Sequence, residues 1–264
     1  MTKVIDVLNA LEKYAPCRLA ESYDNVGFIV GKRDNEVKRV IVALDITSAV
    51  IDEAVREGAE LIVSHHPIIF GSRKSVTDCD VIGALLIKLI ENGISAICMH
   101  TNLDSAIGGV NDVFAEKLGI KVSGVVEPKE DGTVGGGRYG ELDEECSLSE
   151  FLPRVCKVLS ARGVKYYDAE RKVKRVAVGG GSCGDYITIA ASLGCDTLVT
   201  ADIKHNQFLE SRELGVNAID AGHFATEDIV CPRICEIIKK ECPGLSVAIA
   251  ESDIDYTKFF TVGE

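Results

Sequence analysis

The sequence predicts an α/β protein built as two similar lobes from an internal duplication, with mostly parallel or mixed sheets. Three observations carry that expectation. Short β-branched runs such as "RVIVAL" and "RVAVG" alternate with amphipathic stretches, the pattern of strands joined by crossover helices. Residues 37–66 align without a gap on residues 173–202, and nine of the thirty paired positions are identical. The next unit also recurs, since "GISAICMHTNLD" at 93–104 resembles "GVNAIDAGHFATE" at 215–227.

Taken in order, "TKVIDVLNALEKYAP" at the N-terminus has helical spacing, with Thr2 suited to the N-cap. It answers "SLSEFLPRVCKVLSARG", which opens on Ser147. "ESYDNVGFIVG" at 21–31 sets Asp24-Asn25 as a turn before a strand. Both copies of the long repeat read strand, turn, helix, glycine, strand, the glycine serving as a helix C-cap. "VVEPKEDGTVGGG", with Pro128 and glycines 135–137, has the composition of a joint. Lobes are therefore expected over 1–124 and 135–264 with a linker at 125–134, and the C-terminal segment is expected to pack back on the first lobe. Pseudo-symmetry would bring the strand ends of the two lobes to a shared cleft.

Composition limits the function classes. With 46% hydrophobic and 27% charged residues the chain is an ordinary soluble one. No apolar run approaches the roughly 18–20 residues needed to span a bilayer. The N-terminus carries acids where a secretory signal would be basic and then uniformly apolar, so a cytoplasmic protein is expected. A net charge of −12 argues against nucleic acid as a partner, and is compatible with divalent cations and small ligands. The ten cysteines form no CxxC pair and read as buried thiols. Cys231 and Cys235 fit one helix face, which is weak evidence for zinc.

The chemistry collects just beyond the predicted strands. Leu61-Ile62-Val63 reads as a buried strand that delivers His65 and His66, and Pro67 then forces a turn. His100 and Asp104, and His223 and Glu227, repeat a His-x3-acid spacing at equivalent strand ends. Singly, each histidine is most simply a hydrogen-bonded structural residue. Together, imidazoles and carboxylates suit zinc, iron or manganese better than calcium or magnesium. Adjacent imidazoles are expected to diverge, each serving its own ion while a carboxylate bridges the pair, in a metal site within the cleft. A second feature competes: Gly179-x-Gly181-x-x-Gly184 lies between a strand and a helix, with Asp202 ending the next strand. It is open to three readings: a tight turn, a cradle for a substrate phosphate, or a dinucleotide fingerprint. Lys204 and His205 in "DIKHN" could hold an anionic group or move a proton, or simply face solvent.

"SYDNVGFIVG", "SHHPIIF", "HTNLD", "GGGSCGD", "TADIKHN" and "DAGHFATE", in this order and across essentially the whole chain, resemble the Nif-three-like (NGG-interacting factor) family. Bacterial and archaeal members of that family are labelled GTP cyclohydrolase I type 2 homologues. The resemblance implies two related α/β domains, two divalent transition-metal ions (Zn, Fe or Mn) per chain, and a homohexamer arranged as a toroidal trimer of dimers. It implies His65 and His66 as ligands of different metals, Asp104 on one, His223 on the other and Glu227 as the bridge. His100 would stand beside the metals and handle protons, sharing the catalytic role with Glu227. Gly180, Gly181, Ser182, Gly184, Lys204 and His205 would hold the substrate, a phosphorylated or nucleotide-like small molecule. The expected function is thus a metal-dependent hydrolase, GTP cyclohydrolase type 2-like by resemblance. The alternative is a non-catalytic metal-binding hexameric scaffold or regulator. A nicotinamide oxidoreductase would rest on the glycine loop alone and explain no histidine.

Overall fold

A computed structural model describes residues 1–260. The chain divides into two compact units, Met1–Ala106 with Val230–Ile254, and Ile107–Ile229 with Asp255 onward. The first boundary therefore falls at 106 and not at the expected 124, and the first unit takes back a helix and a strand from the C-terminal end.

The first unit runs α1 (Val4–Glu12), β1 (Gly27–Val30), β2 (Arg39–Ala43), α2 (Ser48–Glu57), β3 (Leu61–Ser64), α3 (Val81–Glu91), β4 (Ser95–Cys98) and α4 (Thr101–Ser105). In the second unit follow α5 (Val110–Leu118), β5 (Lys121–Gly124), β6 (Glu127–Lys129), β7 (Val134–Gly136), β8 (Arg138–Cys146), α6 (Leu148–Leu159) and β9 (Lys165–Tyr167). The same unit continues with β10 (Val173–Val178), α7 (Tyr186–Ser192), β11 (Thr197–Thr200), α8 (His205–Leu214), β12 (Asn217–Asp220) and α9 (His223–Glu227). Then α10 (Cys231–Glu241) and β13 (Ser246–Ile249) rejoin the first unit.

The sheet of the first unit has the order β1-β4-β3-β2-β13, parallel throughout except for the antiparallel edge strand β1. Strands β3 and β4 are buried at every position, as a parallel sheet covered on both faces demands. Ile41, Ala43, Ile62 and Ala96 pack on one face with Val50, Ile51 and Ala54 of α2 and Leu86 and Leu89 of α3. Val40, Val42, Leu61 and Val63, pointing the other way, are equally buried. On the helical side of the unit α10 packs against α1, β2 and β13. That packing, with the parallel pairing of β13 on β2, is why the C-terminal segment belongs to the first unit.

The second unit's sheet has the order β5-β8-β10-β11-β12-β9, with a parallel centre and antiparallel strands on both sides. Alternation splits its core. Val176, Val178, Val199 and Ile219 meet Phe114 of α5 and Phe151 and Val155 of α6, while Ala177, Leu198 and Ala218 meet Ile187 and Ala190 of α7. Residues 125–134, expected as a linker, lie inside this unit: β6 pairs with β7 as a hairpin. Both sheets are therefore mixed.

Caps follow the sequence in most places. Thr47 accepts the Val50 N–H, Ser147 forms a capping box with Glu150, and α2 stops at Gly58 with φ +65°. At the N-terminus the cap is Lys3 and not Thr2, with the Asp6 carboxylate accepting the Lys3 N–H. Among the described residues no helix is long and apolar enough to cross a membrane.

Candidate metal centre

The ladder between β2 and β3 runs past the end of β3. The His65 N–H donates to Ala43 O and the His66 N–H to Leu44 O, so both histidines remain strand-like in the turn. The His65 side chain is wholly buried, and its Nδ1 lies 2.7 Å from Met99 O. His66 Nδ1 lies 2.9 Å from Asp45 Oδ1, an acid that follows the neighbouring strand β2. His100 comes just after β4, at the start of α4, with Nδ1 2.9 Å from Asp24 Oδ1. Asp24 Oδ2 in turn accepts the Thr101 N–H and hydroxyl, so the turn before β1 is bolted to the start of α4. Burial pushes the Asp24 carboxyl up, but the hydrogen bonds from His100 and Thr101 outweigh it and hold the group well below the usual carboxylate range.

These anchors draw three imidazoles together within the first unit. Ring centroids are 5.1 Å apart for His65 and His66, 5.2 Å for His65 and His100, and 5.5 Å for His66 and His100. One ligand nitrogen from each lies within 4.8 Å of the other two. The rings of the adjacent pair therefore lie beside each other and beside His100. Asp104, one helical turn after His100, places Oδ1 3.6 Å from His65 Nε2.

The second unit builds its own cluster after β12. After β12, Gly222 at φ +86° turns the chain into α9, whose first and last residues are His223 and Glu227. His223 Nδ1 is 2.7 Å from Asp202 Oδ2, and its Nε2 is 2.9 Å from Glu227 Oε2. Glu227 is only 3% exposed, so its charge is a costly one to leave unneutralised. Asp202 follows β11, in the left-handed region at φ +52°, and also accepts the Ser182 hydroxyl.

The four histidines share one property. Each Nδ1 faces an oxygen acceptor, a backbone carbonyl for His65 and a carboxylate for His66, His100 and His223. A hydrogen bond of that kind fixes the proton on Nδ1 and makes Nε2 the donor atom, the arrangement found around metal-bound histidines. In such a tautomer His223 Nε2 directs a lone pair at the Glu227 carboxylate, which is stable only with a cation or proton between them. At 2.9 Å the pair stands at an ordinary hydrogen-bond distance. The donor set is thus suited to a borderline transition metal.

The glycine loop makes a tight turn, one of the three readings open to it, with Gly181 at φ +65° and the Cys183 N–H donating to Gly181 O. The Gly180 N–H donates to Asn111 Oδ1, the Gly181 N–H to Thr226 Oγ1, and the Cys183 N–H to Thr200 Oγ1. Those three donors are used inside the unit, and α7 behind them has only seven residues. The absent side chains are needed for close approach. A Cβ on Gly181, at φ +65°, would fall 2.2 Å from Glu227 Oε1, and one on Gly184 would fall 2.3 Å from Gln207 Oε1. Lys204 and His205 are exposed at the start of α8. Cys231 and Cys235 are buried on α10, and among the described residues no cysteine belongs to a metal-ligand group.

Sequence reasoning missed Asp45 and treated Asp24 as a turn residue and Asp202 as the acid of a dinucleotide fingerprint. A usable signal existed. Asp45 and Asp202 each follow a strand parallel to the one that precedes their histidine, and Asp202 is the repeat counterpart of His66.

Residues 2–257 match the family model described as Duf34/NIF3 (NGG1p interacting factor 3). A Clostridium perfringens protein named "GTP cyclohydrolase 1 type 2 homolog" is 36% identical over 241 residues, covering 90% of this chain and 92% of its own. A Clostridium acetobutylicum protein of the same name is 33% identical over 264 residues, covering 97% and 98%. Among solved structures, a hypothetical protein of Staphylococcus aureus superposes with a TM-score of 0.90 at 28% identity, covering 98% of this chain and 99% of that one.

Proposed function

The chain belongs to the Duf34/NIF3 family, and on that premise we propose that it is a dinuclear metal protein acting as a hydrolase on a nucleotide-like or phosphorylated small molecule. The observation that carries the proposal is the set of four Nδ1 atoms that each face an oxygen acceptor, which leaves an Nε2 lone pair on His65, His66 and His223 for a metal ion and on His100 for a proton. His65, His66, Asp104, His223 and Glu227 would hold the ions, with Glu227 the bridge, and the duplicated halves would each contribute. Bound divalent ions would supply Lewis acidity and ready ionisation of water near neutral pH. The protein's own part is to orient and to move protons. His100, its Nδ1 proton held by an ionised Asp24, is oriented to exchange a proton at Nε2 with a substrate atom. Asp45 and Asp202 hold His66 and His223 in register. With the Gly180 and Gly181 N–H groups used inside the unit, Ser182, Gly184, Lys204 and His205 remain for an anionic part of the substrate. The relatives' name points to the imidazole ring of GTP as one bond to test. A homohexamer is part of the same proposal, checked by light scattering.

The test is elemental analysis of purified protein. It should carry about two transition-metal ions per chain, and the His65→Ala/His66→Ala double variant should lose them. Full metal retention by that variant would end the proposal. Metal-loaded protein should then turn over a member of a nucleotide and phosphate-ester panel, and Glu227→Gln should abolish that turnover. Metal binding without turnover across the panel would replace the hydrolase with a metal-binding scaffold.

A further inference from the structure

Beside the imidazole cluster of the first unit stand two aromatic side chains that its core does not use. Tyr23 is 64% exposed and Phe70 65% exposed. Their ring centroids are 6.3 Å apart at an interplanar angle of 55°, and the Phe70 ring meets His100 edge-on, also at 6.3 Å. Single exposed aromatics are common, but these two meet each other and Phe70 meets the site.

Their positions are fixed by neighbours in sequence. Tyr23 precedes Asp24, which is tied to His100 and Thr101. Asn25 Nδ2 donates to Ile69 O at 2.8 Å, binding the chain beside Phe70 to the chain beside Tyr23. Two segments more than forty residues apart are thus held so that the Tyr23 ring meets the Phe70 ring and the Phe70 ring meets His100. Rigid placement of this sort has no value for the core, since the rings stay in water. It does have value for a ligand that stacks.

We propose that Tyr23 and Phe70 form a stacking platform for the planar heterocycle of the substrate, holding its ring against His100. The proposal deepens the hydrolase reading and rests on it for the word substrate. The size of the patch favours a small molecule. Two aromatic side chains exposed by about two-thirds offer about 200–330 Å², well short of the roughly 800 Å² each partner gives to a stable protein interface.

Equilibrium dialysis of the purified protein against guanosine, adenosine and cytidine, with ribose as the ringless control, tests it. Nucleosides should be retained and ribose should not. Tyr23→Ser and Phe70→Ser should each weaken retention by about five-fold or more, Phe70→Trp should restore it, and metal content should stay at the wild-type level. Equal retention of ribose, or wild-type retention by the double serine variant, would overturn the platform. So would a double variant that changes elution volume on gel filtration but not nucleoside binding, which would make the pair a subunit contact. Metal content is read on the same samples, so the two proposals fail separately. Nucleosides bound by protein that never takes up metal would sink the dinuclear reading and leave the platform standing. Metal-loaded protein that binds no nucleoside would do the reverse.

Discussion

Replacing Gly181 by alanine attacks the proposed metal centre without deleting a proposed ligand. Gly181 sits at φ +65°, where an L-residue costs about 1–2 kcal/mol. Its new Cβ would lie 2.2 Å from Glu227 Oε1, 3.0 Å from Glu227 Cδ and 3.2 Å from His223 Cε1. The backbone of the loop is held by Asn111 and Thr226, so the carboxylate is the part that yields. Once Glu227 swings aside, its 2.9 Å approach to His223 Nε2 is lost. Misplacing a ligand in this way weakens metal binding by about 10–100-fold, or about 1.4–2.8 kcal/mol. The backbone cost alone should lower the metal-free Tm by roughly 2–8 °C for a chain of this size. A double-mutant cycle with Glu227→Ala separates the two effects, because removing the carboxylate removes the clash. In that background Gly181→Ala should show only the backbone loss. Competition with a zinc chelator and thermal melts would measure both. Wild-type zinc affinity in Gly181→Ala would refute the reasoning, because the clash at Glu227 would then be harmless.

Asp45→Ala and Asp202→Asn should each reduce zinc affinity by about 10–100-fold with little change in the metal-free melt, since they release His66 and His223 without touching the core; unchanged chelator competition would contradict this. Glu53, 4% exposed, accepts the N–H groups of Glu251 and Ser252 and the Ser252 hydroxyl, pinning the chain after β13 to α2. Burial raises its pKa, but those hydrogen bonds win and lower it below the ordinary value. A depressed folded pKa means stabilisation that is present above the unfolded value of about 4.3 and lost as pH falls through the folded one. Glu53→Gln should thus cost about 1.5–3 kcal/mol near pH 7, and urea melts of the two proteins should draw together as the pH is lowered below about 4. Chelator treatment should lower Tm and zinc should restore it, by about 2.7 kcal/mol of stabilisation at free metal a hundred-fold above Kd; a melt indifferent to zinc would count against a bound ion.

The sequence by itself determined the strand ends and what they carry. Alternating β-branched runs, glycine stops at Gly58 and Gly215 and the tandem His65-His66 before Pro67 are local signals, because helix ends and turns are decided by a few adjacent residues. The His-x3-acid spacing was legible for the same reason, as one helical turn brings His223 and Glu227 together. Tertiary structure decided which acceptor each imidazole meets. Asp24 lies 76 residues from His100 and Asp45 lies 21 from His66, and only strand order within the sheet places them side by side. A C-terminal segment packed back on the first lobe was expected, but that α10 and β13 are the elements that return was decided by long-range packing. The sequence left the glycine loop open to three readings for a related reason: whether its N–H groups serve a ligand or the protein depends on what lies against them, and Asn111 and Thr226 are brought there by the fold.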